Sequence, residues 1–479
     1  MPARDIYLLS PRSLSPETIA VAFAKTSRSP QSFRDIAAEL SEEKSAQFHE
    51  KWVVGYGHAS VAEHAVLHIA IENVSRVAIE AIEANRLASY TEKSTRYQKW
   101  GPDDFTIPPE LQSGPLADEF AAACRMLFRA YADSLAPVRS LIEKKTPHRE
   151  NETDEAWDRR VRSQYVDTCR FILPAAANAN VGMTANARVL ENAIRKMLSH
   201  PLAEVRQIGE EVKAAAKAEV PTLVKYADAV PYLVETTQGL SNQQISKSDI
   251  NRKSSIVNRK SGDWCTLVDH DQDGETTVLA AALYRYSQGS FEEALQYVDA
   301  LPAHEREQLA ESLLARLGEH DIPLRELEYC TYTFDLIMDQ GAYAEFKRHR
   351  MMTQTPQRLT TRLDYAVPRL ITEAGFGSAY EAAMEKAAAL FEKIAAENPD
   401  VAQYIVPNGF NRRVLARFNL REAYHFCQLR AARNAHFSIR RVARRMFAEM
   451  QRVHPLLTRY MYLPEETLEA VEQGYFSGL

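Results

Sequence analysis

Arg348-His349-Arg350, preceded by Lys347, places four basic side chains at consecutive positions. Guanidinium groups make bidentate contacts with phosphate or carboxylate, so an anionic ligand is one reading. A solvated basic turn is the other, because charge clusters are commonly surface features. Asn419-x-Arg421 and Arg430 lie on one helical pattern at a spacing close to three turns, which puts the first and last on a shared face. Asn434 and His436 follow them. The run Arg440-Arg441-Val442-Ala443-Arg444-Arg445 reads as a basic, mostly solvent-facing helix with internal charge pairs. Ser89-Tyr90-Thr91-Glu92-Lys93-Ser94-Thr95-Arg96-Tyr97 is a polar loop after a helical pattern, able to offer N–H, hydroxyl and guanidinium groups to a phosphate. It can equally be a helix-ending loop with local side-chain caps. His58 and His64 flank Glu63, yet no third ligand stands at a familiar spacing, so no metal is expected.

The elements that must carry these residues are mostly helical. Phe120 to Ile142, Ala185 to Ala218, Ser378 to Ala396 and Asn419 to Val453 repeat apolar residues at three- and four-residue intervals. Strand-like runs are few, and the alternation in His64–Ile71 and Tyr329–Leu336, at equivalent places in two halves of the chain, suggests a strand in each. Those halves echo one another elsewhere. Glu17-Thr18 with Ser32-Phe33 recurs in register as Glu275-Thr276 with Ser290-Phe291. Gly57-His58 with Glu63-His64 has a counterpart in Glu319-His320 with Glu328. Arg170-Phe171-Ile172-Leu173-Pro174 with Asn186-Ala187-Arg188 is matched by Ile405-Val406-Pro407 with Asn419-Leu420-Arg421. A repeat of this length is a duplicated domain, not a solenoid of short units. The expected fold is α+β, helix-rich, used twice.

The 479 residues exceed one ordinary core, and the repeat sets the division. Residues 1–234 and 263–479 are the expected domains. A polar connector rich in Ser, Asn, Gln and Lys joins them over residues 235–262. Lys144 to Asp158 has no counterpart in the second half and reads as a surface insertion. A hydrophobic fraction of 45%, a charged fraction of 25% and a net charge of −6 belong to an ordinary globular protein and give no reason to expect nucleic acid. No apolar run is long enough to span a bilayer and no signal-peptide layout opens the chain, so a cytoplasmic location is expected. Cys124, Cys169, Cys265, Cys330 and Cys427 form no Cys-x-x-Cys pair, which points to reduced, buried thiols.

Taken in order, these pieces resemble the flavin-dependent thymidylate synthases. That family shows a Gly-His-x-Ser/Thr-x-x-Glu-His segment, a Ser-Arg, an Arg-His-Arg triplet, a Ser-Tyr/Phe-x-x-x-Ser-x-Arg-Tyr loop, an Arg-x-Val-Leu-Pro and an Asn-x-Arg…Leu-Arg helix. The first half matches with Gly57-His58-Ala59-Ser60, Glu63-His64, Ser75-Arg76, Ser89-Tyr90, Ser94, Arg96-Tyr97, Arg170 with Leu173-Pro174, and Asn186 with Arg188. At the triplet it reads Ala84-Asn85-Arg86, and Lys196-Met197 stands where the late Arg is expected. The second half keeps Arg348-His349-Arg350, Asn419, Arg421 and Leu429-Arg430. Its loop, Thr353-Gln354-Thr355-Pro356-Gln357-Arg358, lacks the Ser-x-Arg-Tyr end, and Gln403 replaces the counterpart of Arg170.

The resemblance implies FAD as cofactor, dUMP as substrate, and methylenetetrahydrofolate and NADPH as cosubstrates in reductive methylation to dTMP. It implies sites built where one domain meets another, with two chains standing in for the family's tetramer as a homodimer. The losses in the two halves are complementary, so Glu92, Ser94, Arg96, Tyr97 and Arg170 of the first domain, with Glu345, are the implied substrate contacts. Arg430 is the implied catalytic guanidinium. His58, Ser89, Arg348, His349, Arg350, Asn419, Arg421 and His425 are the implied flavin contacts, and His320 is an alternative to His58. Glu345 stands near where the family often has Gln. A related protein that binds flavin or nucleotide without methylating, or a different one-carbon transfer to uracil C5, is the alternative.

Overall fold

The computed structural model describes residues 5–26, 29–55, 59–97, 100–241, 243 and 263–477. Among these, one compact unit draws on Met1–Ser94, Asp104–Asp118 and Ala176–Val257, and the other on Thr95–Asp103, Glu119–Ala175 and Asn258–Leu479. Chain order and compact units therefore do not coincide. Two stretches of the first copy fold together with the second copy.

In the first unit, β1 (Val66–Ser75), β2 (Ser89–Glu92) and β3 (Asn178–Asn186) form an antiparallel sheet in the order β1-β3-β2. In the second, β4 (Cys265–His270), β5 (Thr331–Asp339), β6 (Thr353–Pro356) and β7 (Asn411–Asn419) form the order β4-β5-β7-β6. Each copy runs long strand, short helix, short strand, long strand, helix: the helix Arg76–Ile82 follows β1 as Gln340–Phe346 follows β5, and Ala187–Leu198 follows β3 as Leu420–Arg430 follows β7. On β5 the side chains of Tyr332, Phe334, Leu336 and Met338 alternate inward, meeting Val414, Ala416 and Phe418 of β7 and Val442, Met446 and Met450 of the helix Phe437–Val453. Burying each large apolar side chain contributes about 1.5–3 kcal/mol, which fixes the register because a one-residue slip would turn the whole set outward.

Equivalent positions keep the same interaction with different chemistry. Ser75 caps Arg76–Ile82, and its N–H and hydroxyl donate to Glu204 at 2.8 and 2.6 Å. Asp339 caps Gln340–Phe346, and there the partners are reversed: Ser438 donates its hydroxyl to the Asp339 carboxylate. Both arrangements satisfy one buried carboxylate with a hydroxyl and a helix N-terminus. Likewise Arg188 pairs with Glu63 in the first copy and Arg421 with Glu328, at 2.9 Å, in the second.

Within the second unit, the repeated segments Arg170–Pro174 and Ile405–Pro407 lie against each other. The Ala175 N–H donates to the Val406 carbonyl at 2.9 Å and the Asn408 N–H to the Leu173 carbonyl at 3.0 Å, around an antiparallel bridge of Pro174 with Pro407. This reciprocity, with each residue's equivalent contacting the other's, is the mark of a local two-fold relation. Gly409 is required here, because a Cβ would come within 2.5 Å of the Tyr380 hydroxyl.

The helices expected over 120–142 and 378–396 are the cores of Ala117–Lys145 and Gly377–Glu397, and the two expected strands are β1 and β5. Other expectations need correction. The 185–218 pattern is the end of β3 followed by Ala187–Leu198 and Ala203–Ala216, and 419–453 is two helices interrupted at 431–436. The expected polar loop at 89–97 is β2 followed by a 3-10 turn at Thr95–Tyr97. The segment 144–158, expected as a surface insertion, is largely exposed and links Ala117–Lys145 to Asp154–Cys169, including the ends of both. The helix Pro231–Ser241 runs into the segment expected as connector, whose remainder lies outside the described residues save for residue 243.

Glu204→Ser alone is expected to destabilise the protein by about 1–3 kcal/mol. Ser75→Asp alone should cost at least as much, because two carboxylates then share a buried place. The double variant, which transplants the second copy's pairing, should recover most of both losses in urea unfolding. Simple additivity of the two single effects would contradict the equivalence.

Candidate functional site

The basic triplet and the late arginine converge in the second unit. Gln340–Phe346 brings Glu345 to its last turn, the turn after it carries Arg348, His349 and Arg350, and Leu420–Arg430 ends on Arg430. Arg430 donates from Nη1 to Glu345 at 2.9 Å and from Nε to His349 Nε2 at 3.0 Å. His349 is buried, and its other ring nitrogen, Nδ1, lies 2.9 Å from the Glu422 carboxylate. Since Nε2 accepts from Arg430, Nδ1 carries the proton and donates to Glu422. Burial lowers the His349 pKa; Glu422 opposes that shift and Arg430 adds to it, so the ring is neutral near pH 7.

The first copy supplies the facing groups. Arg170, on the 3-10 turn Arg170–Ile172 after the helix Asp154–Cys169, reaches Glu345 at 3.8 Å, Asp167 at 3.2 Å and the Thr95 hydroxyl at 3.0 Å. Its carbonyl accepts from Asn408 Nδ2 at 3.1 Å, tying the turn to the reciprocal backbone contact described above. Arg96 holds Asp167 in a bidentate pair at 2.8 and 2.6 Å. Burial by itself would raise the Asp167 pKa, but Arg170, His436 and Arg96 together keep it below the ordinary carboxylate value. His436 is fully enclosed; Nδ1 accepts from the Ser438 N–H, so Nε2 donates to the Asp167 carbonyl at 3.2 Å. Burial, aided by Arg170, pushes its pKa down to about 4.

Arg96 and Arg170 of one copy and Glu345, His349 and Arg430 of the other thus share one chain of charge-assisted contacts, running from Arg96 through Asp167, Arg170, Glu345, Arg430 and His349 to Glu422. The side chains of Arg430 and Glu345 are only 14% and 15% exposed. At such a depth each charge depends on its partner, because removing one member leaves the other buried and unpaired.

Other expected residues fall elsewhere. Glu92, at the end of β2 in the first unit, pairs with Arg76 at 2.7 Å. Ser89 and Ser94 are exposed in that unit, Tyr97 ends the turn that carries Arg96, and His58 lies outside the described residues. Asn419 precedes the helix as its N-cap and accepts from the Glu422 N–H at 2.9 Å. Arg421 donates to Glu328 and to the Pro323 carbonyl, each at 2.9 Å. Arg348 and His425 are exposed, with the His425 ring 5.3 Å from His349, and His320 is also exposed. Lys196, which replaces the late arginine in the first copy, donates to Asn85 at 3.2 Å, repeating the Arg430–His349 contact with shorter groups. The basic run at 440–445 is not solvent-facing: Arg440 and Arg444 are buried against Glu466, Arg441 pairs with Glu472 at 2.8 Å, and Arg445 with Asp263 at 2.5 Å. Asp167, Glu422 and His436 are site residues that the sequence reading left without a role. The three-residue step from Asp167 to Arg170, and from Asn419 to Glu422, is the signal that was available.

In the first unit a cavity of about 640 Å³ is lined by Phe23, Phe48 and Trp52 on its aromatic side and by Ser60, Glu63 and His64 on its polar side. Phe23 stacks on His64 with ring centres 4.8 Å apart. All five cysteines are buried free thiols. Burial raises Cys169 and Cys330 to about 12 and the other three further, so a thiolate nucleophile is disfavoured throughout.

The model of the family described as thymidylate synthase complementing protein matches residues 9–222 and again 266–456. The chain belongs to this family of flavin-dependent thymidylate synthases and carries its domain twice. Among its relatives, a Chlamydia muridarum protein described as a UPF0159 protein is 31% identical over 88% of this chain and 82% of its own length. A flavin-dependent thymidylate synthase of Clostridium tetani is 30% identical over 44% of this chain and 82% of its own length. A Helicobacter pylori flavin-dependent thymidylate synthase, solved with FAD and dUMP, overlaps 41% of this chain and 98% of its own at 16% identity and a TM-score of 0.32, too slight an overlap to add weight. Among the described residues no helix is long and apolar enough to cross a membrane.

His436 gives a pH signature. Its folded pKa of about 4 lies below the ordinary 6.5, so the unfolded chain binds the extra proton first. The stability it contributes is complete above pH 6.5 and is lost as pH falls toward 4. His436→Gln, whose amide can still donate to the Asp167 carbonyl, should flatten the fall in unfolding midpoint over that window. An unchanged slope would show that another group carries it.

Proposed function

We propose that the chain catalyses flavin-dependent reductive methylation of dUMP to dTMP, with methylenetetrahydrofolate as carbon donor and NADPH as reductant. The observation that carries this reading is the meeting of Arg170 and Arg430, from different copies of the domain, on one Glu345 carboxylate. Arg96 and Arg170 are the proposed phosphate-binding pair, giving up Asp167 and Glu345 in part when a phosphate dianion enters; guanidinium forks suit phosphate as well as carboxylate. Arg430 is the proposed donor to a pyrimidine carbonyl, where fixed positive charge stabilises negative charge that develops as C5 accepts carbon. Glu92 and Ser94 stay as proposed nucleotide contacts through the family resemblance alone.

FAD suits the donor sets present. The cavity of the first unit offers the aromatic walls of Phe23 and Trp52 and the polar edges of Ser60 and His64 to a flat ring. When bound, FAD supplies hydride-transfer chemistry. With every thiol buried, activation of the pyrimidine falls to charge and positioning rather than to a cysteine adduct. Two chains pairing as a homodimer in the cytoplasm would provide the four domains of the family's assembly.

A second reading has one observation in its favour: carboxylates already occupy the guanidinium forks of Arg96, Arg170 and Arg430. A site closed in this way also suits a protein that binds flavin or nucleotide without transferring carbon. Flavin released from the purified protein, followed by assay with dUMP, methylenetetrahydrofolate and NADPH, separates the two. Bound FAD with dTMP formed supports methylation; bound FAD without dTMP, or with a different C5 product, supports the second reading; no flavin after reconstitution contradicts both. In an active enzyme Arg96→Ala should raise KM about tenfold with little change in kcat, whereas Arg430→Ala should lower kcat about a hundredfold. Steady-state kinetics in which both change only KM would contradict that division.

A further inference from the structure

We infer that Glu422 is a positioning residue for Arg430, acting through the tautomer of His349. This rests on the proposed role of Arg430 as a donor to the nucleotide, and extends it to a residue outside the family motifs.

The geometry is closed at one end and open at the other. Asn419 caps the Glu422 N–H, which fixes the first turn of Leu420–Arg430 and with it the Glu422 side chain. The carboxylate takes the Nδ1 proton of His349 in a hydrogen bond, and the bare Nε2 then accepts from Arg430 Nε. Were His349 protonated on Nε2 instead, two N–H groups would face each other across this 3.0 Å contact and the arginine would turn away. With Nε held by His349 and Nη1 by Glu345, Nη2 has no partner among the described residues. That free edge is the part of the guanidinium left for a ligand acceptor. Glu422 therefore sets which edge of Arg430 faces the site.

The first copy supplies an internal comparison. There Asn85 stands for His349 and accepts from Lys196, which stands for Arg430. An amide oxygen has no tautomer to set, and that contact is made without any carboxylate equivalent to Glu422. The requirement for Glu422 follows from the imidazole alone.

The charged and titratable groups facing His349 are Glu422, His425 and Arg430 on the helix Leu420–Arg430. Removal of the Glu422 charge takes away a group that holds the imidazole's pKa up. In Glu422→Gln the acid limb of dUMP binding should consequently move to lower pH, while affinity falls at every pH because the neutral amide also tolerates the wrong tautomer. A merely structural loss would lower affinity without moving the limb.

The test is imidazole nitrogen NMR on the full chain with labelled histidine, His349 being assigned by loss of its signal in His349→Asn, together with calorimetric titration of dUMP. In the wild type His349 should be Nδ1-protonated with an unprotonated Nε2; in Glu422→Gln that signature should be lost or mixed and dUMP affinity should fall about tenfold. His349→Asn should restore affinity in the Glu422→Gln background, because the amide acceptor makes the carboxylate unnecessary. An Nε2-protonated ring in the wild type, a Glu422→Gln ring unchanged from it, or no rescue by His349→Asn overturns the inference. If the tautomer responds as described while the wild type binds no dUMP, the relay stands and the nucleotide reading falls.

Discussion

The Glu345 carboxylate is the constraint around which the second unit is organised. A carboxylate with so little exposure is tolerable only when paired and hydrogen-bonded. Its partners come from two places far apart in sequence, Arg430 at the end of a helix in the second copy and Arg170 on a turn of the first. Each arginine is in turn fixed by a further pair, Arg430 by His349 and Glu422, Arg170 by Asp167 and Thr95. The reciprocal backbone bonds around Pro174 and Pro407 hold the turn that carries Arg170 where this is possible. Backbone symmetry and side-chain electrostatics therefore depend on the same stretch of chain.

Duplication explains why the two copies could diverge without losing the fold. Positions that hold the scaffold kept the interaction and exchanged the residues, as in Ser75 with Glu204 against Asp339 with Ser438. Positions at the site changed differently. Where the second copy has Arg430–His349, the first has Lys196–Asn85, a contact with the hydrogen bond but without the planar guanidinium and the imidazole. Lysine keeps several donors but not the rigid planar fork that matches a carboxylate or phosphate edge, so the first copy retained the packing and not the fork.

The site was legible in the sequence where motifs carried unusual residue types, and obscure where ordinary residues did the positioning. Arg96, Arg170, Glu345, His349 and Arg430 were all identifiable, and the structure brings those five together. Asp167 and Glu422 were not, since a lone acid on a helix has no distinguishing period until its partner is seen. Strands were harder than helices: Asn178–Asn186 and Asn411–Asn419 each alternate, but small residues in β3 and arginines in β7 dilute the signal. The break at 431–436 escaped because Ala432 to Ala435 continues a helical composition, and only the side-chain cap at His436 marks a new start. Basic residues at 440–445 looked solvent-facing because partners such as Glu466, Glu472 and Asp263 lie outside the helix, while the expected internal pairing is present in Arg445 with Glu449 at 3.2 Å.

The most direct test of a ligand site shared by the two copies within one chain is a double-mutant cycle in dUMP affinity on Arg170→Ala and Arg430→Ala, measured by calorimetry on the full protein. Two guanidiniums on one carboxylate and one ligand should be strongly coupled, with the double variant binding well away from the sum of the single effects, by about 0.5–3 kcal/mol. Independent, additive losses, or a loss at only one of the two arginines, would contradict a shared site and return the copies to separate roles.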